Sequence, residues 1–374
     1  MKALLFANTD WYLYNFRLPL AKALRSGGYD VVLLSPPGDY ARLLTQEGFR
    51  WIGFPLSRKG VNPLRELAAL WRLVELYRLE RPDLAHHFTI KCVLYGGIAA
   101  RCSGTRAIVS SVTGLGHVFI THSWLNRLLR PAVSLVYRFV LGRSQVIFQN
   151  PDDRREFLRL SLVEEARSHL IRGSGVDTEY FLPPADARGE RPLTVLMVGR
   201  LLREKGVREF VEAAAMVRKQ LPGVQFLLAG ESDPGNPSSI DPNVVAEWRG
   251  RGDVSFLGHR PDIRDLIHAA DLAVLPSYRE GMPRSLLEAA ACGLPLVATD
   301  VPGCREIVSN GVNGLLVPPL DSKRLAEAII QLLGNRDRRE AMGKRSRAIA
   351  CELFSQDRVI RETMAVYAGA FNKN

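Results

Sequence analysis

Residues 193–206, LTVLMVGRLLREKG, decide how the chain is read. An apolar strand-like run, Leu193–Val198, ends in a turn that opens on Gly199 and carries Arg200 and Lys205. Its position gives it weight. It follows a loop rich in Gly, Pro and Asp, Gly173–Pro192 (GSGVDTEYFLPPADARGERP), and it restarts a pattern already seen upstream. There, strand-like runs at 2–8, 29–35, 50–54, 84–88, 106–110 and 145–149 alternate with helical stretches such as 15–26, 64–79 and 91–101. Downstream come Val224–Ala229, Val254–Leu257, Leu272–Leu275 and Leu296–Ala298, then helical patterns over 322–334 and 337–371. Strand, helix, strand at this spacing predicts parallel sheets covered on both faces. The expected class is α/β, with two doubly wound, Rossmann-like domains at 1–180 and 181–354. A C-terminal helix at 355–374 is expected to return to the first. Such sheets bind ligands at the carboxyl ends of their strands, so the site is expected in a cleft between the two domains.

The bulk numbers agree with this division. A chain of 374 residues exceeds one ordinary domain, and 47% hydrophobic with 24% charged residues supplies real cores. Five cysteines, Cys92, Cys102, Cys292, Cys304 and Cys351, lie far apart without a CxxC pair, which reads as reduced core thiols. MKALLFAN at 1–8 reads as a first strand and not a signal peptide, making the cytoplasm the natural compartment. The net charge of +11 is uneven: residues 1–180 carry 24 Lys+Arg against 15 Asp+Glu, the remainder 26 against 24. No Asp or Glu occurs between Asp83 and Asp152, where seven Lys or Arg fall, so this region should attract anions.

Two stretches can carry chemistry. Ser277–Gly293 (SYREGMPRSLLEAAACG) follows the run ending at Leu275, and Pro283 suits the first position of a helix continued by Leu286, Leu287 and Ala290. A helix start of this kind offers free N–H groups to phosphate, and Glu280 and Glu288 can accept bonds from sugar hydroxyls. The same acids also fit an ordinary helix start and an ordinary helical position. In Gly199–Gly206, Arg200 and Lys205 place two cations at the end of a central strand, which suits a diphosphate but also a solvated turn.

GRLLREKG at 199–206, EGMPRSLLE at 280–288 and GSGVDTEYF at 173–181 together resemble glycosyltransferase family 4, of GT-B fold. The resemblance extends over LAG at 228–230, FLGHRPDIRDLIHAADLAVLPS at 256–277 and ATDVPGCREIVSNGVNGLLVPP at 298–319, nearly the whole chain. It implies a retaining transfer from a nucleotide-sugar donor. Gly199, Arg200 and Lys205 would hold the donor diphosphate, Glu288 the ribose and Glu280 the donor sugar. Gly281, Met282, Pro283 and Arg284 would approach sugar and phosphate, and His259 and Arg260 would edge the base. Pro283 cannot donate an N–H, so one phosphate contact is expected to be absent.

In the first half, HHFTIKCVLYGGIAAR at 86–101, TGLGHVF at 113–119 and NTDWYLYNFRLPL at 8–20 resemble bacterial N-acetylgalactosaminyltransferases that extend polyprenyl-diphosphate-linked sugars. That implies a UDP-sugar donor and a lipid-diphosphate-linked acceptor. It also implies acceptor-binding residues Asn15, Arg17, Lys91 and His117, the last also facing the transferred sugar. Unlike many relatives, Thr9–Tyr14 contains no Gly, so main-chain approach to phosphate is not expected there.

Phe119–Arg143 combines Trp124, Tyr137 and Phe139 with Arg127, Arg130, Arg138 and Arg143. It is too interrupted to span a bilayer and fits a helix lying on an anionic membrane surface, or a core helix with snorkelling arginines. Pro63–Leu79, with Trp71 and Tyr77 among Arg65, Arg72 and Arg78, could extend the same face. The protein is thus expected to be peripheral on the cytoplasmic side. No Asp-x-Asp occurs anywhere, so no metal or other cofactor is expected. No nucleic-acid motif accompanies the basic residues. A nucleotide-sugar epimerase or dehydrogenase of similar fold lacks its GxGxxG at both first turns, Ala7–Tyr12 and Gly199–Glu204.

Overall fold

The computed structural model describes residues 1–56, 63–113, 124–185 and 191–372, the side chains of 63, 124–132 and 372 excepted. Two units emerge: Met1–Ser174 with Asp357–Asn374, and Gly175–Gln356.

Unit 1 is built on β1 (Lys2–Phe6), β2 (Asp30–Ser35), β3 (Arg50–Gly53), β4 (Leu84–Phe88), β5 (Ala107–Val112), β6 (Gln145–Phe148) and β7 (Ser168–Leu170). Their order across the sheet is β3-β2-β1-β4-β5-β6-β7, every pair parallel, with Leu5 opposite Leu33 on one side and His86 on the other. Side chains alternate across the sheet, so Ala3, Leu5 and Ala7 enter one core cluster while Leu4 and Phe6 enter another. Both faces are covered, which is why β4 and β5 are buried at every position.

Unit 2 repeats the plan with β8 (Thr194–Val198), β9 (Gln225–Ala229), β10 (Ser255–Gly258), β11 (Leu272–Leu275), β12 (Leu296–Thr299) and β13 (Gly314–Val317), ordered β10-β9-β8-β11-β12-β13 and again parallel. In each sheet the strand order reverses beside its first strand, between β1 and β4 and between β8 and β11. At such a switch point the loops leave in opposite directions and open a crevice.

The boundary falls at Gly175 and not after residue 180. Val176 N–H donates to the Phe354 carbonyl and Gln356 N–H to the Val176 carbonyl (both 2.9 Å), which ties this segment to unit 2. The helical pattern expected over 337–371 is two helices, Arg336–Leu353 and Gln356–Asn372, broken where those bonds form. The second belongs to unit 1: Val359, Val366, Tyr367 and Ala370 are buried with Leu5, Phe88 and Val109. Each large apolar side chain buried this way stabilises by roughly 1.5–3 kcal/mol.

Candidate functional site

The loops after β8 and β11 leave adjacent central strands at the switch point of unit 2. They are stitched together by Tyr278 N–H, which donates to the Glu204 carbonyl at 2.8 Å. Gly206 closes the first loop at φ 70°, and a Cβ there would be driven into the Pro276 carbonyl oxygen, so only glycine lets the loops meet. The second loop is braced by Gly303 (φ 84°), where a Cβ would strike the Glu280 and Gly281 carbonyl oxygens.

Lys205 Nζ lies 2.5 Å from Glu280 Oε1, and Ser277 Oγ donates to the same oxygen at 2.7 Å. Lys205 is 20% and Glu280 11% exposed, so this pair stands at the rim of solvent, where Coulomb attraction is only partly screened. Arg200, half-exposed, reaches Asp233 Oδ2 at 2.6 Å, and Asn236 donates to the same oxygen. Gly199 N–H donates to the Ala229 carbonyl, completing the strand edge.

Pro283 stands one residue before the helix Arg284–Ala291, as its cap and not its first member, with ψ 110°. An extended ψ is the ordinary conformation of the residue that precedes a first helical turn. No side chain caps the first turn, whose N–H groups have no acceptor within the helix itself. Arg284 Nε donates to Glu288 Oε1 at 2.8 Å. Burial pushes the Glu288 carboxyl above the usual carboxylate range, opposed by Arg284. Met282 packs against the core of unit 2. Further along the edge, His259 N–H donates to Glu231 Oε1 (3.2 Å), and Arg260 is paired with Asp262 (Nε to Oδ1, 2.7 Å).

In unit 1 the expected residues separate. Arg17 ends a π-helical turn, Leu13–Arg17, and is only 5% exposed. Its guanidinium lies 4.4 Å from the centroid of the Phe88 ring, and Nη2 donates to Tyr12 Oη at 2.7 Å. Asn15 lies on the outside, donating to the Trp11 carbonyl. Lys91 is held by Glu66 (2.8 Å), which also accepts from Tyr95 Oη (2.5 Å). Burial works to raise the Glu66 carboxyl, but these two donors outweigh it and hold it below its ordinary value. His117 lies outside the described residues, and so do the side chains of Trp124, Arg127 and Arg130.

The helix Trp124–Leu141 corrects the membrane expectation for Tyr137. Tyr137 is 2% exposed, edge-on to Phe157 at 5.5 Å, because its face of the helix closes the core around Val140, Leu141 and Phe148. Tyr77 is likewise buried, its hydroxyl 3.1 Å from His87 Nε2. Arg138 points outward but turns back to donate to the Ser161 and Leu160 carbonyls (3.1 and 3.3 Å), at the end of the helix Pro151–Arg159. Large apolar side chains also face solvent: Leu135, Val136 and Phe139 here, and Leu64, Leu67 and Trp71 on one stripe of Pro63–Glu80. No helix among the described residues is long and apolar enough to cross a membrane.

Comparison with known proteins fits this geometry. Residues 182–349 match the family model of glycosyl transferases group 1, and residues 16–173 a glycosyl transferase 4-like domain. A Campylobacter jejuni protein, N,N'-diacetylbacillosaminyl-diphospho-undecaprenol alpha-1,3-N-acetylgalactosaminyltransferase, is 32% identical over 86% of this chain and 86% of its own length. The chain belongs to the group 1 glycosyl transferases. An Escherichia coli relative of this glycosyltransferase, UDP-Gal:alpha-D-GlcNAc-diphosphoundecaprenol alpha-1,3-galactosyltransferase, is 26% identical over 74% of this chain and 73% of its own. Among solved structures, a glycosyltransferase from Rickettsia africae superposes with TM-score 0.80 at 17% identity, covering 100% of this chain and 99% of that one. Anabaena Alr3699/HepE in complex with UDP and glucose gives 0.79 at 23% identity, covering 99% and 100%. These two bear on the fold, which is GT-B.

Sequence reasoning about this glycosyltransferase missed several partners. Glu209, 7% exposed on the helix Val207–Gln220, accepts from Tyr278 Oη at 2.8 Å and so steadies the loop that carries Glu280. Burial, then this bond, pushes the Tyr278 hydroxyl far above its ordinary range. Ser277, fully buried, and Asp233 are the other two, each one hydrogen bond away from a residue that was named. Only the adjacency of Ser277 and Tyr278 to Glu280 along the chain could have suggested them.

Proposed function

We propose that this glycosyltransferase moves an N-acetylhexosamine from UDP to a polyprenyl-diphosphate-linked saccharide, with retention and without a metal. The observation that carries the reading is the convergence of Lys205, Glu280 and the uncapped helix start at Arg284 at the switch point of unit 2. In support, two relatives are named for diphospho-undecaprenol acceptors, one of them with a UDP-linked donor. Arg200 and Lys205 hold the donor diphosphate and stabilise the charge that grows on it as the glycosidic bond breaks. Glu280, oriented by Lys205 and Ser277, takes the donor sugar's hydroxyls; Glu288 takes the ribose. Gly199, Gly281, Met282, Pro283 and Arg284 line the diphosphate and sugar, and His259 and Arg260 edge the base. The acceptor hydroxyl attacks on the face the diphosphate leaves, and its proton passes to a leaving phosphate oxygen. Asn15, Arg17, Lys91 and His117 serve the acceptor, His117 also touching the transferred sugar.

The same proposal includes an anionic membrane on its cytoplasmic side. Leu64, Leu67 and Trp71, the last 62% exposed, form the insertion stripe, flanked by Arg65 and Arg72. Trp124, Arg127 and Arg130, whose side chains lie outside the described ones, are assigned to the same membrane surface.

Incubation with a panel of UDP-sugars and a prenyl-diphosphate saccharide, in EDTA, should lengthen the lipid-linked product by one N-acetylhexosamine with an α linkage by NMR. Absence of transfer with every donor, or transfer that EDTA abolishes, would overturn the corresponding part. Leu67→Ser with Trp71→Ser should reduce sedimentation with phosphatidylglycerol vesicles at least tenfold, and undiminished binding would remove that helix from the surface.

A further inference from the structure

Arg17 is a buried cation that unit 1 does not neutralise. Nε is buried without a partner, and no carboxylate of the described residues pairs with it. The segments of this unit that lie outside them, 57–62, 114–123, 373 and 374, contain no Asp or Glu side chain. The nearby acid Asp10 is already committed: its Oδ2 accepts from the N–H groups of Tyr40 and Ala41, at 2.8 and 2.9 Å. An unpaired buried charge costs several kcal/mol, and native chains rarely keep one idle. The local backbone makes the same point. The π-helical turn at Leu13–Arg17 interrupts the helix that continues as Leu18–Ser26, and turns of this kind gather at functional sites.

The position is the switch point of unit 1. Phe88, against which Arg17 stacks, is the last residue of β4, and Thr89 follows at φ 70°, ψ 153°, a conformation that costs a non-glycine residue of order 1–3 kcal/mol. That strained residue starts the helix Ile90–Cys102, whose first turn has no side-chain cap. Lys91 in that turn is engaged by Glu66, so at this switch point Arg17 is, among the described residues, the buried cation without a counter-charge.

We infer that Arg17 binds the diphosphate of the acceptor, its planar fork taking two phosphate oxygens, with the helix start at Ile90 donating backbone N–H groups. This rests on the acceptor proposed above and assigns the anion to Arg17 in preference to Lys91. It also explains why the unit keeps a charge its own core does not need: the ligand supplies the missing partner.

The test separates a binding role from a structural one. Farnesyl diphosphate and inorganic pyrophosphate are titrated calorimetrically into the full chain and into Arg17→Met and Arg17→Lys, alongside UDP and thermal melting. Arg17→Met should weaken both diphosphates at least tenfold, leave UDP unchanged and melt no lower than wild type. Arg17→Lys, which keeps the charge and loses the fork, should weaken them about threefold or more. A lower melting temperature with unchanged diphosphate affinity would make Arg17 a structural cation and overturn the inference. Should the Met variant not fold, the wild-type Arg17 Nε–H resonance must shift on adding pyrophosphate, and an unmoved resonance overturns it equally. Diphosphate binding that depends on Arg17 in a protein that transfers to no lipid-linked acceptor would retain this site and reject the proposed acceptor.

Discussion

The two units share one strand order, yet their switch points are charged in opposite ways. In unit 2 every cation expected at the donor site has a carboxylate beside it: Lys205 with Glu280, Arg284 with Glu288, Arg200 with Asp233. In unit 1 the buried Arg17 has none among the described residues. The topology therefore sets where a crevice opens, and side-chain pairing sets what state it rests in. Unit 2 is self-neutralised, so on the proposed donor assignment a diphosphate must compete with the unit's own acids for Lys205. On the inference above, the charge of Arg17 in unit 1 is completed by an incoming anion.

The strongest way to break this contrast is to remove Lys205. Lys205→Ala should lower kcat by about 10²–10³, the usual loss for one group that stabilises departing charge. It also strands Glu280 at 11% exposure, so the melting temperature should fall. Adding Glu280→Gln should restore the melting temperature but not the rate, and recovery of both would make the pair purely structural.

Acid sharpens the comparison next. Burial, aided by Arg17 and His87, holds His86 well below its ordinary pKa, and burial holds His87 down at about 3. Unfolded histidines take up protons below about pH 6.5 while these two do not, so the unfolded state binds more protons and stability falls as pH falls. Between pH 7 and pH 5 the loss should be about 2 kcal/mol per histidine, and His87→Gln should remove about half of it. Glu288 in unit 2 has the reverse sign. Its raised carboxyl takes a proton more readily folded than unfolded, so between the ordinary carboxylate range and its own value acid favours the fold. Hydrogen exchange should show β4 losing protection before β11 and β12 as pH drops; the opposite order would reject this account.

Smaller effects test the assignments at the edges. Glu288→Gln should raise the donor KM about tenfold, worth ~1.5 kcal/mol for a bond to a charged group, without changing acceptor KM. Arg138→Ala should cost about 0.5–1 kcal/mol through its lost bonds to the Leu160 and Ser161 carbonyls. Vesicle binding should be unchanged, and a loss of it would return Arg138 to the membrane face.

Much of this was legible because parallel strands buried on both faces read as short apolar runs. β7 (SHL) and β13 (GLLV) escaped, the first being three residues with a polar start and the second following a glycine-rich turn without a β-branched run of its own. At the site, the motifs gave the cations and acids but not their pairing. Lys205 and Glu280 lie 75 residues apart, Lys91 and Glu66 25 apart, and no local pattern encodes such distances. Tyr137 shows the other limit: a helix with apolar and basic residues has the same periodicity whether its aromatic faces a lipid or Phe157, and only the packing of the neighbouring helix decides. Arg17 was visible as a residue type, whereas its isolation depends on where Asp10 spends its two oxygens.

The helix Gln356–Asn372 has a consequence for how this protein is made. Tyr367 Oη lies 2.6 Å from His86 Nδ1, whose other nitrogen is 2.8 Å from Ser111 Oγ, so three distant points of the chain close one buried seam in unit 1. During vectorial synthesis the strands of unit 1 leave the ribosome first, but the helix that seals them emerges only after all of unit 2. The nascent first half must therefore wait with Leu5, Phe88 and Val109 partly open while the second half folds, and a chaperone that shields apolar strands would find its substrate there. A stalled nascent chain cut after residue 356 and extended by a linker long enough to clear the ribosomal exit tunnel should display a protease-resistant unit 2 beside a protease-sensitive unit 1, reversing the usual order in which the first part made is the first part finished.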